Sequence, residues 1–397
     1  MKDFPELVSI IQECDVRIFE EGCSNIIEII GKFLENNDDS NAFYIVNINK
    51  IVEQYEKWIK NLPRVKPYYA VKCNPNPVIT KILSRFDIGF DCASRNEISQ
   101  VLNHGVDPSN IIFANPCKAS GQIKFARSED VDLMTFDDVH ELYKIKLYHP
   151  HAKLVLRIKV DDSKSICKFN CKFGADKDGI RSILQTAKIL DLDVVGVSFH
   201  VGSNCKDATT YYTAIEEVHN TFQIANEIGY KMNLVDIGGG FPGYDAEEGV
   251  KFEEIAVQVN RGLDEFFPDD TVKLIAEPGR YFVCSSHTLV TNVIGKKKNG
   301  DKFIYYLNDG IYGSFNCVYF DHVRPNIQPY NERHGQMYDA VVFGPTCDSI
   351  DVISEECKLP DLAIGEWVYV ENFGAYTIAA ASTFNGFQQT RCVYCFV

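Results

Sequence analysis

The sequence predicts an α/β protein: a TIM-type (β/α)8 barrel with a C-terminal all-β, sandwich-like domain. Three observations predict it. From Ala42 to about Arg280, short apolar runs alternate with amphipathic stretches of helical length, the pattern of repeated βα units. Lys72, Asp91, Arg157, His200, the run Gly238-Gly239-Gly240 and Glu277 each stand at or just beyond an apolar run. A barrel gathers the C-terminal ends of its strands on one face, whereas a doubly wound sheet brings only some of them to its switch point. After about residue 281 the texture changes to Val/Phe/Tyr-rich runs without helical pattern between them. The expected division is 41–280 for the barrel and 281–397 for the β domain, which residues 1–40 join.

In chain order, Cys23 to Leu34 reads as a helix-like segment with Ser24 or Asn25 as cap, and Asn36 to Asn41 as a polar loop. Nine candidate strands follow for eight places: 43–46, 68–71, 88–90, 111–114, 133–136, 154–158, 194–200, 234–237 and 274–277. One of them lies outside a closed barrel. In the β domain the candidates are 281–283, 288–294, 303–307, 340–343, 367–370 and 392–396, with a polar loop from Asp321 to Gln336.

The bulk numbers exclude several classes. The chain has 397 residues, 45% hydrophobic and 24% charged, with a formal net charge of -15, which argues against a nucleic-acid groove. Met1 to Glu6 lacks the basic start of a signal peptide, and no window approaches membrane-spanning length. Fourteen cysteines without such a signal point to reduced thiols in the cytoplasm. Cys392 and Cys395 have redox or metal spacing, as a weaker pair Cys167 and Cys171 lie close, and neither is joined by a second pair, so no metal is expected.

The chemistry starts at Lys72, which ends the run Tyr68 to Val71 and precedes the strand-stopping Asn74-Pro75-Asn76-Pro77. An amine with an apolar run behind it loses solvation, which favours the neutral nucleophile that forms a Schiff base. A snorkelling surface lysine is the plainer reading. Two glycine turns, Gly238 to Gly240 and Pro278-Gly279-Arg280, follow strands where bare backbone N–H groups can approach a phosphate, and Arg280 adds a forked cation. Two ordinary tight turns are the alternative. A Schiff-base lysine with two phosphate-type loops on one barrel face implies pyridoxal 5'-phosphate. Glu277 then suits the pyridine nitrogen, and His200 suits the flat ring face unless it is a core histidine. In the β domain, Cys347 after Gly344-Pro345-Thr346 can donate a proton, and Asp348 can hold a cationic substrate end.

These residues resemble the eukaryotic-type ornithine decarboxylases, a family that pairs an alanine-racemase-like barrel with a β-sandwich domain. The resemblance runs from about residue 40 to the end. It rests on Tyr69-Ala70-Val71-Lys72-Cys73-Asn74, Phe90-Asp91-Cys92-Ala93-Ser94, Ala114-Asn115-Pro116-Cys117-Lys118, Ser198-Phe199-His200-Val201-Gly202-Ser203, Asp236-Ile237-Gly238-Gly239-Gly240-Phe241, Glu277-Pro278-Gly279-Arg280, Gly344-Pro345-Thr346-Cys347-Asp348 and Gly374-Ala375-Tyr376-Thr377. It implies that Lys72 forms the Schiff base, His200 stacks on the ring and Glu277 faces the pyridine. Ser203, Gly240, Gly279, Arg280 and Tyr376 match the phosphate cradle, and Asp91, Ala93 and Arg157 line the cofactor. Cys347 matches the donor that reprotonates Cα. Asp321 with Asp348 resembles the pair binding the distal ammonium, beside Phe320. The resemblance further implies a head-to-tail homodimer with shared sites, in which Lys172 and Asp351 form an intersubunit ion pair and Gly374 lies at the interface, and it leaves room for an antizyme-type regulator.

Two positions depart from the family pattern. Ser349 stands where glycine is usual, and Phe320 where tyrosine is common; both are expected to be tolerated. The sequence also stops ten residues after Phe387, without the C-terminal degradation extension of the animal enzymes. The rival readings are an arginine or lysine decarboxylase of the same fold, an alanine-racemase-like enzyme, and a non-catalytic regulator like the antizyme inhibitors.

Overall fold

The computed structural model describes residues 7–19, 25–35, 40–246, 249–331 and 335–397. Ser24, Met1 to Glu6 and most of the loop from Asn36 lie outside the described residues, as do three positions of the loop before Gln336. Contacts divide the chain into two compact units, residues 55–281 and residues 1–54 with 282–397.

The first unit is a closed barrel of eight parallel strands: β1 (Val65–Ala70), β2 (Gly89–Cys92), β3 (Ile111–Phe113), β4 (Leu133–Phe136), β5 (Lys153–Arg157), β6 (Asp193–Ser198), β7 (Leu234–Asp236) and β8 (Lys273–Ala276). Each strand pairs with its neighbours in sequence, and β8 closes on β1 with Ala276 opposite Pro67. Tyr68, Ile112, Leu133, Val155, Leu234 and Ile275 form one buried cluster from six of the strands, the filling of a barrel interior. Helices run between successive strands. After β1, Asn74-Pro75-Asn76-Pro77 ends one element and begins the next: the Asn76 side chain accepts from Val78 N at 2.9 Å and Pro77 opens the helix Pro77–Leu83. A short antiparallel pair, Ser165–Cys167 with Ser203–Cys205, is added beside the barrel.

In the second unit, nine strands form a sheet among the described residues. The candidate strand at 43–46 belongs here, although it fell inside the stretch 41–280 read as barrel. Phe43–Asn47 pairs with His287–Asn299 on one side and Arg391–Phe396 on the other, which is why nine candidates supply eight barrel strands. His287–Asn299 pairs with three strands: its first half lies between Phe43–Asn47 and Trp367–Val370, and its second half, with a register shift between Val293 and Gly295, pairs with Lys302–Leu307. Asn25 caps the helix Ile26–Leu34, accepting from Ile27 N at 2.9 Å. That helix buries Ile29, Ile30 and Phe33 against Phe43, Ile45, Val290 and Tyr369.

Several elements differ from the sequence reading, three of them instructive. The candidate strand 281–283 is a single helical turn, Arg280–Val283. Val352–Leu359 is a strand whose Ser-Glu-Glu interior hid it, since one side of it faces solvent. Arg17–Ile18 also pairs, in parallel with Cys395 and Phe396.

Candidate active site

The C-terminal ends of the barrel strands bring together most of the predicted residues. Lys72 lies on the 3-10 turn Val71–Cys73 that follows β1, and its Nζ is ion-paired with Oδ2 of Asp91 on β2. The Lys72 side chain is 41% exposed. The chain holds this amine through a charge partner, Asp91. Arg157 ends β5 and lies over the Phe173 ring at 5.0 Å. Burial lowers its pKa, opposed by Glu277, Asp137, Asp236 and Asp91 around it.

Glu277 follows β8. Burial pushes its carboxyl well above the ordinary range, Asp236 and Asp91 push the same way, and Lys72 and Arg157 oppose them. Asp91 is fully buried and is also raised, mainly by burial, with Lys72 and Arg157 pulling it back. His200 follows β6. Its Nδ1 accepts from Gly202 N at 3.0 Å, which puts the ring proton on Nε2, and Phe169 meets the ring edge-on at 4.9 Å. Burial first, then Arg157 and Lys72, drive its pKa well below the ordinary value, so the imidazole is neutral.

The glycine turns wrap this cluster. Gly240 has φ +101, and a Cβ there would lie 2.6 Å from the Gly202 carbonyl. A Cβ on Gly239 would lie 2.9 Å from His200 Nε2, so only glycine leaves the imidazole in place. Gly279 packs against the Lys72 turn, where a Cβ would come within 2.8 Å of Cys73 Cβ. Arg280 Nη2 donates to Ser203 Oγ at 3.1 Å, joining the two halves of the expected phosphate cradle. The Ala93 amide donates to Glu97 at 2.5 Å.

These residues fit pyridoxal phosphate. Asp91 Oδ1 and Glu277 Oε1 are buried with no donor from the chain, as a site for a cationic ring and its aldehyde-bearing side requires. Bare glycine backbone and a guanidinium supply the anion cradle.

The sequence reading left one participant without a role. Asp236, the last residue of β7, is fully buried; Gly238 N donates to its Oδ1 at 2.9 Å, and Oδ2 meets no donor. Burial pushes it up to about 7. Its signal was an acid at the end of an apolar run, the criterion that picked out Asp91.

The other predicted residues lie in the sheet unit. Tyr312 OH donates to Asp348 Oδ2 at 2.5 Å and its ring stacks on Phe384 at 4.3 Å. Cys347 is exposed, its amide donating to Asn385 Oδ1 at 2.9 Å. Asp321 is buried at the end of the helix Cys317–Phe320, and Phe320 is 71% exposed. Tyr376 is half-buried with φ +56. Asp351, expected in an intersubunit ion pair, is 1% exposed and already accepts from Ile311 N at 2.9 Å, Thr346 N at 3.0 Å and Thr346 Oγ1 at 2.7 Å. Lys172 is exposed, over the Phe173 ring at 5.0 Å. Gly374, expected at an interface, has a reason within its own chain: a Cβ would lie 1.9 Å from the Val283 carbonyl oxygen.

A barrel whose strand ends gather a lysine, a buried carboxyl and glycine turns beside a guanidinium has the features of a pyridoxal-phosphate enzyme. The family described as "Pyridoxal-dependent decarboxylase, pyridoxal binding domain" matches residues 48–284. An ornithine decarboxylase of Mus musculus is 46% identical over 401 residues, covering 96% of this chain and 87% of the relative. Antizyme inhibitor 2 of Xenopus laevis is also 46% identical over 401 residues, covering 97% and 88%. The crystal structure of the arginine decarboxylase of Paramecium bursaria Chlorella virus superposes with a TM-score of 0.90 at 38% identity, covering 93% of this chain and 100% of that one. The chain belongs to the pyridoxal-dependent decarboxylases, in the group that includes the eukaryotic ornithine decarboxylases, and its cofactor is pyridoxal phosphate.

Asp236 makes a pH prediction. Its pKa is raised on folding, so its contribution to stability is complete below the unfolded value of 3.8 and is lost as pH rises through about 7. Asp236→Asn removes this dependence. Between pH 4 and pH 7 the melting temperature of the cofactor-free wild type is expected to fall relative to the variant by roughly 4 °C or more. Parallel curves in differential scanning calorimetry contradict it.

Proposed function

We propose that the chain decarboxylates L-ornithine to putrescine and carbon dioxide, the first step of polyamine synthesis, as a cytoplasmic homodimer. The observation that carries the reading is the convergence of Lys72, Asp91, Arg157, His200 and Glu277 at one barrel mouth, beside the Ser203–Arg280 pair and the glycine turns. Pyridoxal phosphate, when bound, supplies an aldehyde for an amine and a ring that takes up the electrons released as carbon dioxide leaves.

Each residue then has a role. Lys72 offers the amine that holds the aldehyde, and Asp91 keeps it oriented between turnovers. Glu277 keeps a proton on the pyridine nitrogen. The neutral imidazole of His200 covers the ring face without adding charge. Ser203, Gly240, Gly279, Arg280 and Tyr376 hold the phosphate, and Ala93 lines the site. Cys347 donates the proton that replaces the lost carboxylate at Cα. Asp348, pinned by Tyr312, and Asp321 bind the distal ammonium.

The retained Asp321 favours a short diamine over a guanidinium, which needs a longer pocket. The similarity to a solved arginine decarboxylase keeps arginine as the second substrate to test. The similarity to an antizyme inhibitor raises the non-catalytic reading. Against it stand Asp91, Arg157, Ser203 and Asp348, all present here. No helix among the described residues is long and apolar enough to cross a membrane.

Exposed apolar side chains, Ile350 among them near Cys347 in the sequence, support the shared-site dimer. Tyr319, Phe320 and Ile350 are exposed, Tyr319 OH reaches the Ile350 carbonyl at 3.2 Å, and Phe384 lies on Tyr312 beside Asp348. Exposed apolar residues near an exposed thiol are suited to cover by a second copy. Lys172 and Gly374 are assigned to the same contact by family likeness. An antizyme-type regulator is a further candidate partner.

Purified protein supplied with pyridoxal phosphate should release labelled carbon dioxide from carboxyl-labelled ornithine at least tenfold faster than from arginine or lysine, and Lys72→Ala should abolish release. Faster release from arginine or lysine overturns the substrate assignment. No release from any of the three supports the regulator. The dimer has its own test: equal amounts of Lys72→Ala and Cys347→Ala chains, mixed under exchange conditions, should recover about a quarter of wild-type activity, because about half the dimers then carry one intact site. No recovery despite proven exchange contradicts shared sites.

A further inference from the structure

We propose that Asp236 is the positioning residue for Glu277: without cofactor the two carboxyls hold one proton between them, and they surrender it when the pyridine nitrogen arrives. The inference rests on the assignment of Glu277 to that nitrogen.

The backbone fixes the pair. Ile237 N donates to Ile275 O at 2.9 Å and Glu277 N to Gly238 O at 2.7 Å, lacing the ends of β7 and β8 together. Gly238 N locks one oxygen of Asp236 at 2.9 Å. As carboxylates, Asp236 Oδ2 and Glu277 Oε1 both lack a donor. An ionised carboxylate only accepts, so these two neighbouring carboxyls can bond to each other only if one of them is protonated. Burial of both groups favours that state.

The charges facing the pair give the proton its purpose. Lys72 and Arg157 are the two cations that act on it, and Asp91 is the third carboxyl; Tyr68 and His200 are neutral neighbours. Arg157 also faces Asp137 and Lys72 also faces Glu97, so carboxylates outnumber cations around the pair, and a shared proton removes one of the excess buried negative charges. A protonated pyridine nitrogen brings the same charge to the same place. On its arrival the O–H bond of the pair breaks and the pair goes from one negative charge to two. The proton forms the N–H bond of a ring that enters unprotonated, or passes to solvent when the ring enters already protonated. Asp236 thereby keeps Glu277 aimed while the nitrogen's site is unfilled, and its charge strengthens the hold on the pyridinium afterwards.

Infrared difference spectroscopy of the whole protein tests this. Cofactor-free wild type should show a protonated-carboxyl C=O band that disappears on adding pyridoxal phosphate, and both Asp236→Asn and Glu277→Gln should lack that component before any addition. Calorimetric titration of pyridoxal phosphate in two buffers of different ionisation enthalpy should show wild type releasing about one more proton per site than Asp236→Asn. If wild type lacks the band, or has it unchanged in both variants, the sharing is overturned while the cofactor assignment stands. If the band is present but survives loading, the assignment of Glu277 fails and takes the proposal with it. Equal proton counts in wild type and Asp236→Asn also overturn it.

Discussion

Lys72, Asp91, Arg157, Asp236 and Glu277 come from the ends of five different strands of one closed barrel, and the architecture forces them into the same small volume. Ionised groups at such density are tolerated only when their charges balance. The Lys72–Asp91 ion pair settles one carboxylate, Arg157 is shared among several, and Asp236 with Glu277 is left with the excess. His200 is neutral for the same reason, since burial and two nearby cations exclude a third positive charge. Gly239 follows from it too, since it must leave room for the His200 ring.

In the sheet unit a single buried acid organises the Cys347 loop. Asp351 accepts from Ile311 N, Thr346 N and Thr346 Oγ1, so the chain is held on both sides of the turn that presents the thiol. Gly310 and Gly344 make this possible, because a Cβ on either would lie 2.3 or 2.2 Å from the Asp351 carboxyl. Ser349 lies in the exposed part of the loop, outside this lock. Tyr312 fixes Asp348 in turn, so the loop offers its acid in one orientation.

Much of the barrel site is legible in the sequence because strand ends are visible as apolar runs that stop at a polar residue. Lys72, Asp91, Arg157 and Glu277 all follow that rule. Asp236 follows it as well, but Gly238 to Gly240 next to it reads as a phosphate turn and draws attention away from the acid. Buried charge is harder to see. Lys118 and Glu141 look like solvated residues, yet both are buried; Lys118 Nζ lies 2.9 Å from Glu141 Oε1 and donates to the Thr135 carbonyl at 2.6 Å. Sequence pattern carries no information about a partner 23 positions away. Nor does it separate a strand from one helical turn when every residue is apolar, as at Tyr281-Phe282-Val283. Phe43–Asn47 is a strand by any pattern, but only pairing tells which sheet owns it.

The central claim is that Lys72, held by Asp91 at the barrel mouth, is the residue to which the cofactor attaches. Reduction of the protein with borohydride in the presence of pyridoxal phosphate, followed by digestion and mass spectrometry, tests it directly. The account predicts a pyridoxyl adduct on the peptide carrying Lys72, and none in Lys72→Ala protein. An adduct on another lysine that persists undiminished in Lys72→Ala, or no adduct in protein that retains its fold, contradicts it.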